Sequence, residues 1–433
     1  LCNIANCKHL PPDMNLLLKV FFTLFGILLI PVLLHAQDDS KFIPLVKHPK
    51  GDTIVPKKIT RRADTVAQLD MYDVIGGWFG KKNLSSKTDS VGAKPVLSVV
   101  PALGYTLQSK LALTLAGNIE FRLSPDAKIS TIIINTAYTQ TKQIIIPIQS
   151  SIWSKNNDYN FVGDIRFLKY PESTWGLGSN SNINNEDPMD YSFFRFSEQV
   201  LHRIYPNVFV GVGYIFDDHF NISEKGAING TLSRYGLYGA QGHTISSGPT
   251  INVLLDSRDN SINASRGWYA GATFRDNTDE FGSTRDWQSL VLDVRTYVKL
   301  SDQSDNVLAL WSYDWLVLGG YPPYLDLPST TWDTFSGTGR GYIQGRFRGS
   351  QMLYAEAEYR FGITRNGLLG GVVFANAESF SAAPGTLLQS IQPAFGPGIR
   401  LKLNKVSKTN IAIDYGIGRQ GSRGVFINVG EIF

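Results

Sequence analysis

The chain has 433 residues, with 41 Lys and Arg against 37 Asp and Glu, a formal net charge of +4, and 43% hydrophobic residues. That excess is too weak and too dispersed for a nucleic-acid-binding surface. Both cysteines, Cys2 and Cys7, fall within residues 1–13, so the chain beyond them offers no disulfide, no cysteine-based metal site and no thiol nucleophile.

A helix that crosses a membrane needs about 20 consecutive apolar residues. Only Val20 to Leu34 approaches this. It follows Met14 and Lys19, is interrupted by Pro31, and ends in Leu34-His35-Ala36, a small-residue cleavage pattern. Residues 14–36 therefore read as a secretory signal peptide with Gln37 opening the mature chain, and residues 1–13, which precede Met14, are set aside. Gln37 in place of cysteine argues against a lipoprotein. Residues 37–94 are polar and basic, with Lys57-Lys58 and Arg61-Arg62 read as solvated, and are expected to be a periplasmic extension. One short amphipathic patch, Met71 to Phe79, interrupts them.

From Pro95 onward the texture changes to segments that alternate apolar and polar and are separated by turn residues. The predicted strands are 95–105, 110–123, 128–141, 144–154, 159–169, 190–202, 206–217 and 246–256. They continue as 265–276, 286–299, 306–318, 350–363, 366–378, 390–402, 408–418 and 423–433. In one segment Leu290, Leu292, Val294 and Val298 oppose Asp293, Arg295, Tyr297 and Lys299. In others, Phe161, Ile165 and Phe167 oppose Asn160, Asp164 and Arg166, and Ile411, Ile413, Tyr415 and Ile417 oppose Asn410 and Asp414. A period of two puts these sets on opposite faces of a strand, one suited to lipid and one to a wet interior.

Short turns such as Ser124-Pro125-Asp126 and Arg365-Asn366-Gly367 alternate with long loops at 170–189, 218–245 and 319–349. With no helix able to span, a closed barrel is the architecture that satisfies the backbone in lipid. The expected fold is all-β, a 16-stranded antiparallel transmembrane β-barrel over residues 95–433 in the bacterial outer membrane. Its last strand would close on an aromatic terminus, Phe433, as a C-terminal assembly signal.

Three segments resemble the BamA/TamA superfamily, in its barrel-only branch (bacterial surface antigen domain). Asp256-Ser257-Arg258-Asp259-Asn260 followed by Arg266-Gly267-Trp268 resembles the family's periplasmic strand–turn–strand signature, here with Asp256, Arg258, Asp259 and Gly267. Gly339-Arg340-Gly341-Tyr342 is similar to the motif at the tip of the sixth extracellular loop, and it falls between the eleventh and twelfth expected strands. Tyr354, Glu356, Glu358 and Arg360 share one face of the twelfth.

The resemblance implies that loop six folds into the lumen, with Arg340, Gly341 and Tyr342 at its tip and Glu356, Glu358 and Asn376 as lumen partners. Asn376 stands where the family has Asp, which implies a looser lock that Asn376→Asp would tighten. An arginine inside a barrel must be paired, and its guanidinium fork can hold a carboxylate and an amide together.

The resemblance also implies a role in outer-membrane protein assembly, insertion or translocation, with outer-membrane lipid, a separate periplasmic partner and client proteins as partners. Residues 37–94 are too short and polar for the family's periplasmic transport modules. The alternative is a passive pore or surface-exposed binding protein. His48, His202, His219 and His243 form no recognisable Ser/His/acid or metal-binding spacing, so neither an enzyme nor a cofactor or metal is expected.

Overall fold

The computed structural model describes residues 66–78, 94–106, 108–230, 233–239, 242–301 and 304–433. The expected signal peptide and most of the extension lie outside the described residues.

The first strands are β1 (Val96–Thr106), β2 (Lys110–Phe121), β3 (Ser130–Thr139), β4 (Ile144–Trp153) and β5 (Tyr159–Lys169). A three-residue strand, β6 (Glu172–Thr174), precedes β7 (Asp187–Tyr205), β8 (Val208–Glu224), β9 (Thr244–Asp256), β10 (Gly267–Asn277) and β11 (Trp287–Lys299). The remainder are β12 (Val307–Gly320), β13 (Gln351–Gly362), β14 (Leu369–Phe380), β15 (Gln392–Asn404), β16 (Thr409–Ile417) and β17 (Arg423–Val429). Neighbouring long strands pair antiparallel in one 17-stranded sheet, and β6 is a small addition to the edge of β7 rather than a wall strand.

The sheet curls into a barrel until Cα atoms of β1 and β17 come within 8 Å, and no ladder joins those two among the described pairings. A side-chain contact does cross the seam: Thr409 of β16 donates to Glu120 of β2 at 3.1 Å. Compact connections, such as 206–207 and 363–368, gather at one end of the barrel, here the turn end. The longest, including 321–350, gather at the other, the loop end.

Alternation fixes which side chains meet the interior, and the usual polarity of a water-soluble protein is inverted. Asp164, Arg166, Asp217, Arg275, Glu358 and Arg400 are buried inside, while outward-facing Leu113, Val212 and Phe395 are 60%, 66% and 60% exposed. Such a wall is stable only where its outside meets hydrocarbon.

Two sequence expectations are corrected. The β7–β8 hairpin is longer than the predicted 190–202 and 206–217, because its in–out alternation continues past the local turn and loop residues. The last strand is shorter than the predicted 423–433 and does not run on to Phe433. Gly430 takes φ 110, a left-handed conformation suited to glycine, and its N–H donates to Asn410 O at 2.8 Å. From there the chain turns into the lumen. Phe433 stacks on Trp311 with ring centroids 5.1 Å apart, and Arg360 donates to its carbonyl at 2.8 Å.

The expected amphipathic patch is helix α1 (Met71–Trp78), seated at the turn end. Asp70 caps it: its Oδ1 accepts from the Asp73 amide at 2.9 Å and its Oδ2 from the Lys405 amide at 3.1 Å. Lys405 closes the contact with an ion pair to Asp73 at 2.7 Å. Asp70→Ala removes the cap and one of these ties, costing about 1 kcal/mol locally. Amide hydrogen exchange should speed up across residues 71–78 while the barrel strands keep their protection; unchanged exchange there would contradict the seating.

Candidate functional site

The connection from β12 to β13, residues 321–350, folds back into the barrel and fills its loop end. Its tip is shaped by Asp333, whose carboxylate accepts from the Gly337 and Thr338 amides at 3.0 and 2.8 Å and from the Thr338 hydroxyl at 2.7 Å. That turn delivers Gly339, Arg340, Gly341 and Tyr342 to the wall. Gly341, at φ 111, lies so close that a methyl group on it would sit 2.8 Å from Ala394 Cβ. Opposite it, a methyl on Gly416 of β16 would meet the Gly341 amide nitrogen at 2.5 Å. Two glycines face each other where backbone meets backbone.

Arg340 is 1% exposed. Its Nη1 donates to Asp414 at 2.5 Å, and its Nη2 donates to Glu358 at 2.6 Å and also to Glu356. The guanidinium lies 3.8 Å from the centre of the Phe374 ring. The structure thus brings together Arg340, Glu356, Glu358 and Asn376, but Asn376 in another role than expected. Its amide donates to the Arg340 carbonyl oxygen at 2.9 Å and leaves the guanidinium to the acids. Tyr342 donates to Pro393 O at 2.7 Å and accepts from the Arg419 amide at 3.1 Å.

The sequence reading missed Asp414 as a partner of Arg340, together with the arginines that share its acids. Arg360 meets Glu358 at 2.6 Å, and Arg400 bridges Asp414 and Glu431, each at 2.6 Å. Asp414 and Arg360 had been placed on polar strand faces. Bringing them to one spot needs the pairing of β13 through β16, where Gly398 stands opposite Asp414 and leaves it room.

Further anchors hold the rest of the loop. Arg348 donates to the Tyr324 and Leu325 carbonyls, both at 3.1 Å, and pairs with Glu172 at 3.3 Å. Arg346 reaches Ser181 and Gln420, and burial pushes its guanidinium down to about 10. Burial, reinforced by the nearby Asp217 carboxylate, pushes the Asp326 carboxyl above its usual range; it accepts from Ser246 at 2.7 Å. His219 Nδ1 lies 3.5 Å from the same carboxyl group. The Ser246 hydroxyl therefore donates to an acid, not to an imidazole, which is not the order of a nucleophilic relay.

The turn signature forms its own unit at the opposite end. Arg258 chelates Asp256 at 2.9 and 3.1 Å and lies over the Tyr269 ring. Burial raises the Asp259 carboxyl, but hydrogen bonds from Ser265 and the Arg266 amide outweigh it and hold the group below its usual range. A methyl on Gly267, at φ 105, would sit 2.3 Å from Ser257 O.

No protein-family profile and no curated protein matches the chain. Among solved structures it is similar to BamA from Haemophilus ducreyi lacking POTRA domains 1-3, at 12% identity and TM-score 0.47, over 78% of this chain and 69% of that one. It is similar to CdiB from Acinetobacter baumannii at 11% identity and TM-score 0.47, over 78% of this chain and 66% of that one. It also matches Pseudomonas aeruginosa OccK11 at 8% identity and TM-score 0.33, over 79% and 97%. At such identities no residue's role passes from them to this chain.

Removing Arg340 leaves Glu356, Glu358 and Asp414 facing one another without their central cation. Arg340→Ala should cost on the order of 3 kcal/mol in denaturant unfolding. Asn376→Asp should loosen the loop rather than tighten it, by roughly 1–3 kcal/mol, since a carboxylate would confront the Arg340 carbonyl and add a further acid. Faster proteolytic cutting within 321–350 reads this directly, and a slower cut in Asn376→Asp would contradict it.

Proposed function

We propose that this chain is an outer-membrane β-barrel of a Gram-negative bacterium that acts in outer-membrane biogenesis, assisting the insertion or translocation of other proteins. The membrane reading is supported by the exported-type N-terminus and by the inverted polarity of the wall. With the loop end facing outward, loop six is extracellular and α1 periplasmic.

The observation that carries the biogenesis reading is the seam. Among the described residues, each of the other neighbouring pairs of long strands is joined by a ladder, while at the seam the seven-residue β17 meets the eleven-residue β1 within 8 Å. β17 gives up its last possible rungs because residues 430–433 turn inward, and Pro101 in β1 has no N–H to donate. An underpaired edge is where another strand can add. Loop six meanwhile occupies the lumen above a cavity of about 360 Å³, which favours a plugged barrel over an open pore. A separate periplasmic partner would deliver the client.

The test uses cysteines placed across β1 and β17, with Cys2 and Cys7 replaced by serine. The chain should partition into vesicles, migrate differently on gels before and after boiling, and speed insertion of a second barrel. Crosslinking the seam should abolish that acceleration and reduction restore it. A folded, inserted chain that gives no acceleration, with or without periplasmic extract, would favour the passive barrel or surface-binding protein.

A further inference from the structure

The outward face of the barrel carries an ionisable residue among its apolar side chains. Along β7, outward positions alternate as Phe194, Phe196, Glu198, Val200 and His202, with Phe196 and Val200 38% and 43% exposed. Glu198 pairs with Gly163 of β5, flanked on its own strand by outward Phe161 and Ile165, and Gly163 pairs with Ser150 of β4. A methyl on Gly163 would sit 2.6 Å from Glu198 Oε1 and 2.7 Å from Ser150 Oγ. The carboxyl group therefore lies over a notch that exists only because position 163 has no side chain.

Register gives its depth. One rung runs Leu97–Ile119–Ile132–Ser150–Gly163–Glu198, from the second residue of β1 at the turn end. With strands about 4.8 Å apart and tilted roughly 40°, each step climbs about 3 Å, so Glu198 lies roughly 15 Å above that rim, near the middle of a belt about 25 Å tall. A carboxyl group there is costly unless something meets it, as the Ser312 hydroxyl meets the outward-facing Asp314 of β12 at 3.4 Å.

We propose that Glu198, Gly163 and Ser150 form a docking site, inside the bilayer, for a second copy of this chain. This rests on the membrane reading of the wall. The form of a carboxyl that hydrocarbon tolerates is the protonated one, which has both a donor and an acceptor and so is complementary to itself. A twofold axis along the bilayer normal, passing between β5 and β7, reverses the lateral order of the two strands. It sets Glu198 of each copy against the Gly163 notch of the other, with Ser150 within the same polar row. Phe161 and Phe167 of β5, 42% and 44% exposed, then face the Phe196 and Val200 flank of the other copy. Such an interface is isologous, as a closed dimer requires.

The experiment measures self-association of the full chain in lipid vesicles by energy transfer between donor- and acceptor-labelled copies, across a range of protein-to-lipid ratios. The wild-type chain should dimerise. Glu198→Gln, which keeps a donor and an acceptor, should stay close to wild type, and Glu198→Leu should weaken association by about tenfold or more. Asp314→Asn, at another outward-facing acid on β12, should leave it unchanged. Gel mobility before and after boiling shows that each variant is folded. A folded, inserted wild-type chain that stays monomeric overturns the docking site and leaves the membrane reading standing. So does a dimer indifferent to Glu198→Leu. A chain that fails to insert at all overturns both.

Discussion

An arginine kept from water must find its counter-charges within the protein, and the interior of this barrel is organised around that need. Arg340 is delivered by a loop, yet its three carboxylates stand on the wall, two on β13 and one on β16. Strands separated by β14 and β15 are thereby tied to a single guanidinium. Its stacking on Phe374 of β14 adds the strand between. The plug is thus a cross-brace as well as an obstruction. Burying the charges of this cluster is tolerable because they answer one another: Arg360 and Arg400 supply the cations that balance Glu358, Asp414 and Glu431.

The same arginines hold the inward-turned end of the chain. Arg400 binds Asp414, which Arg340 also uses, and Glu431 beyond the last strand. Arg360 binds Glu358 and the Phe433 carbonyl. Arg340 of the plug and the two arginines that hold the tail therefore share two acids, Glu358 and Asp414. Hydrogen bonds thus connect the tip of loop six to the residues beside the seam.

Much of the fold was legible in the sequence because a strand's period of two is a local property. Phe161 and Phe167 announce one face and Asp164 and Arg166 the other without knowledge of any partner strand. Arg340 and Glu358 were found through motif resemblance and face assignment together. Asp414 was placed on the right face but not in the cluster, since that requires the register linking β13 to β16. The inward turn after Val429 was missed because Val425, Ile427 and Val429 continue the alternation; Gly430 was the local sign, and the pull of Arg400 on Glu431 is not local. Asn376 was assigned to the guanidinium by analogy with an acid, whereas an amide can donate, and here it serves a carbonyl. Glu198 was overlooked within a segment counted simply as a strand, though a glutamate alternating with Phe196 and Val200 is visible in the sequence.

The most direct test is a double-mutant cycle on Arg340→Met and Asp414→Asn, with unfolding free energies measured in the same vesicles. If loop six is held inside the lumen by this charge cluster, Asp414→Asn should cost much less in the Arg340→Met background than in the wild type, with a coupling of about 2 kcal/mol or more. Additive effects, with a coupling below about 0.5 kcal/mol, would mean that the guanidinium and the wall do not act on each other, and the plugged, cross-braced barrel would be wrong.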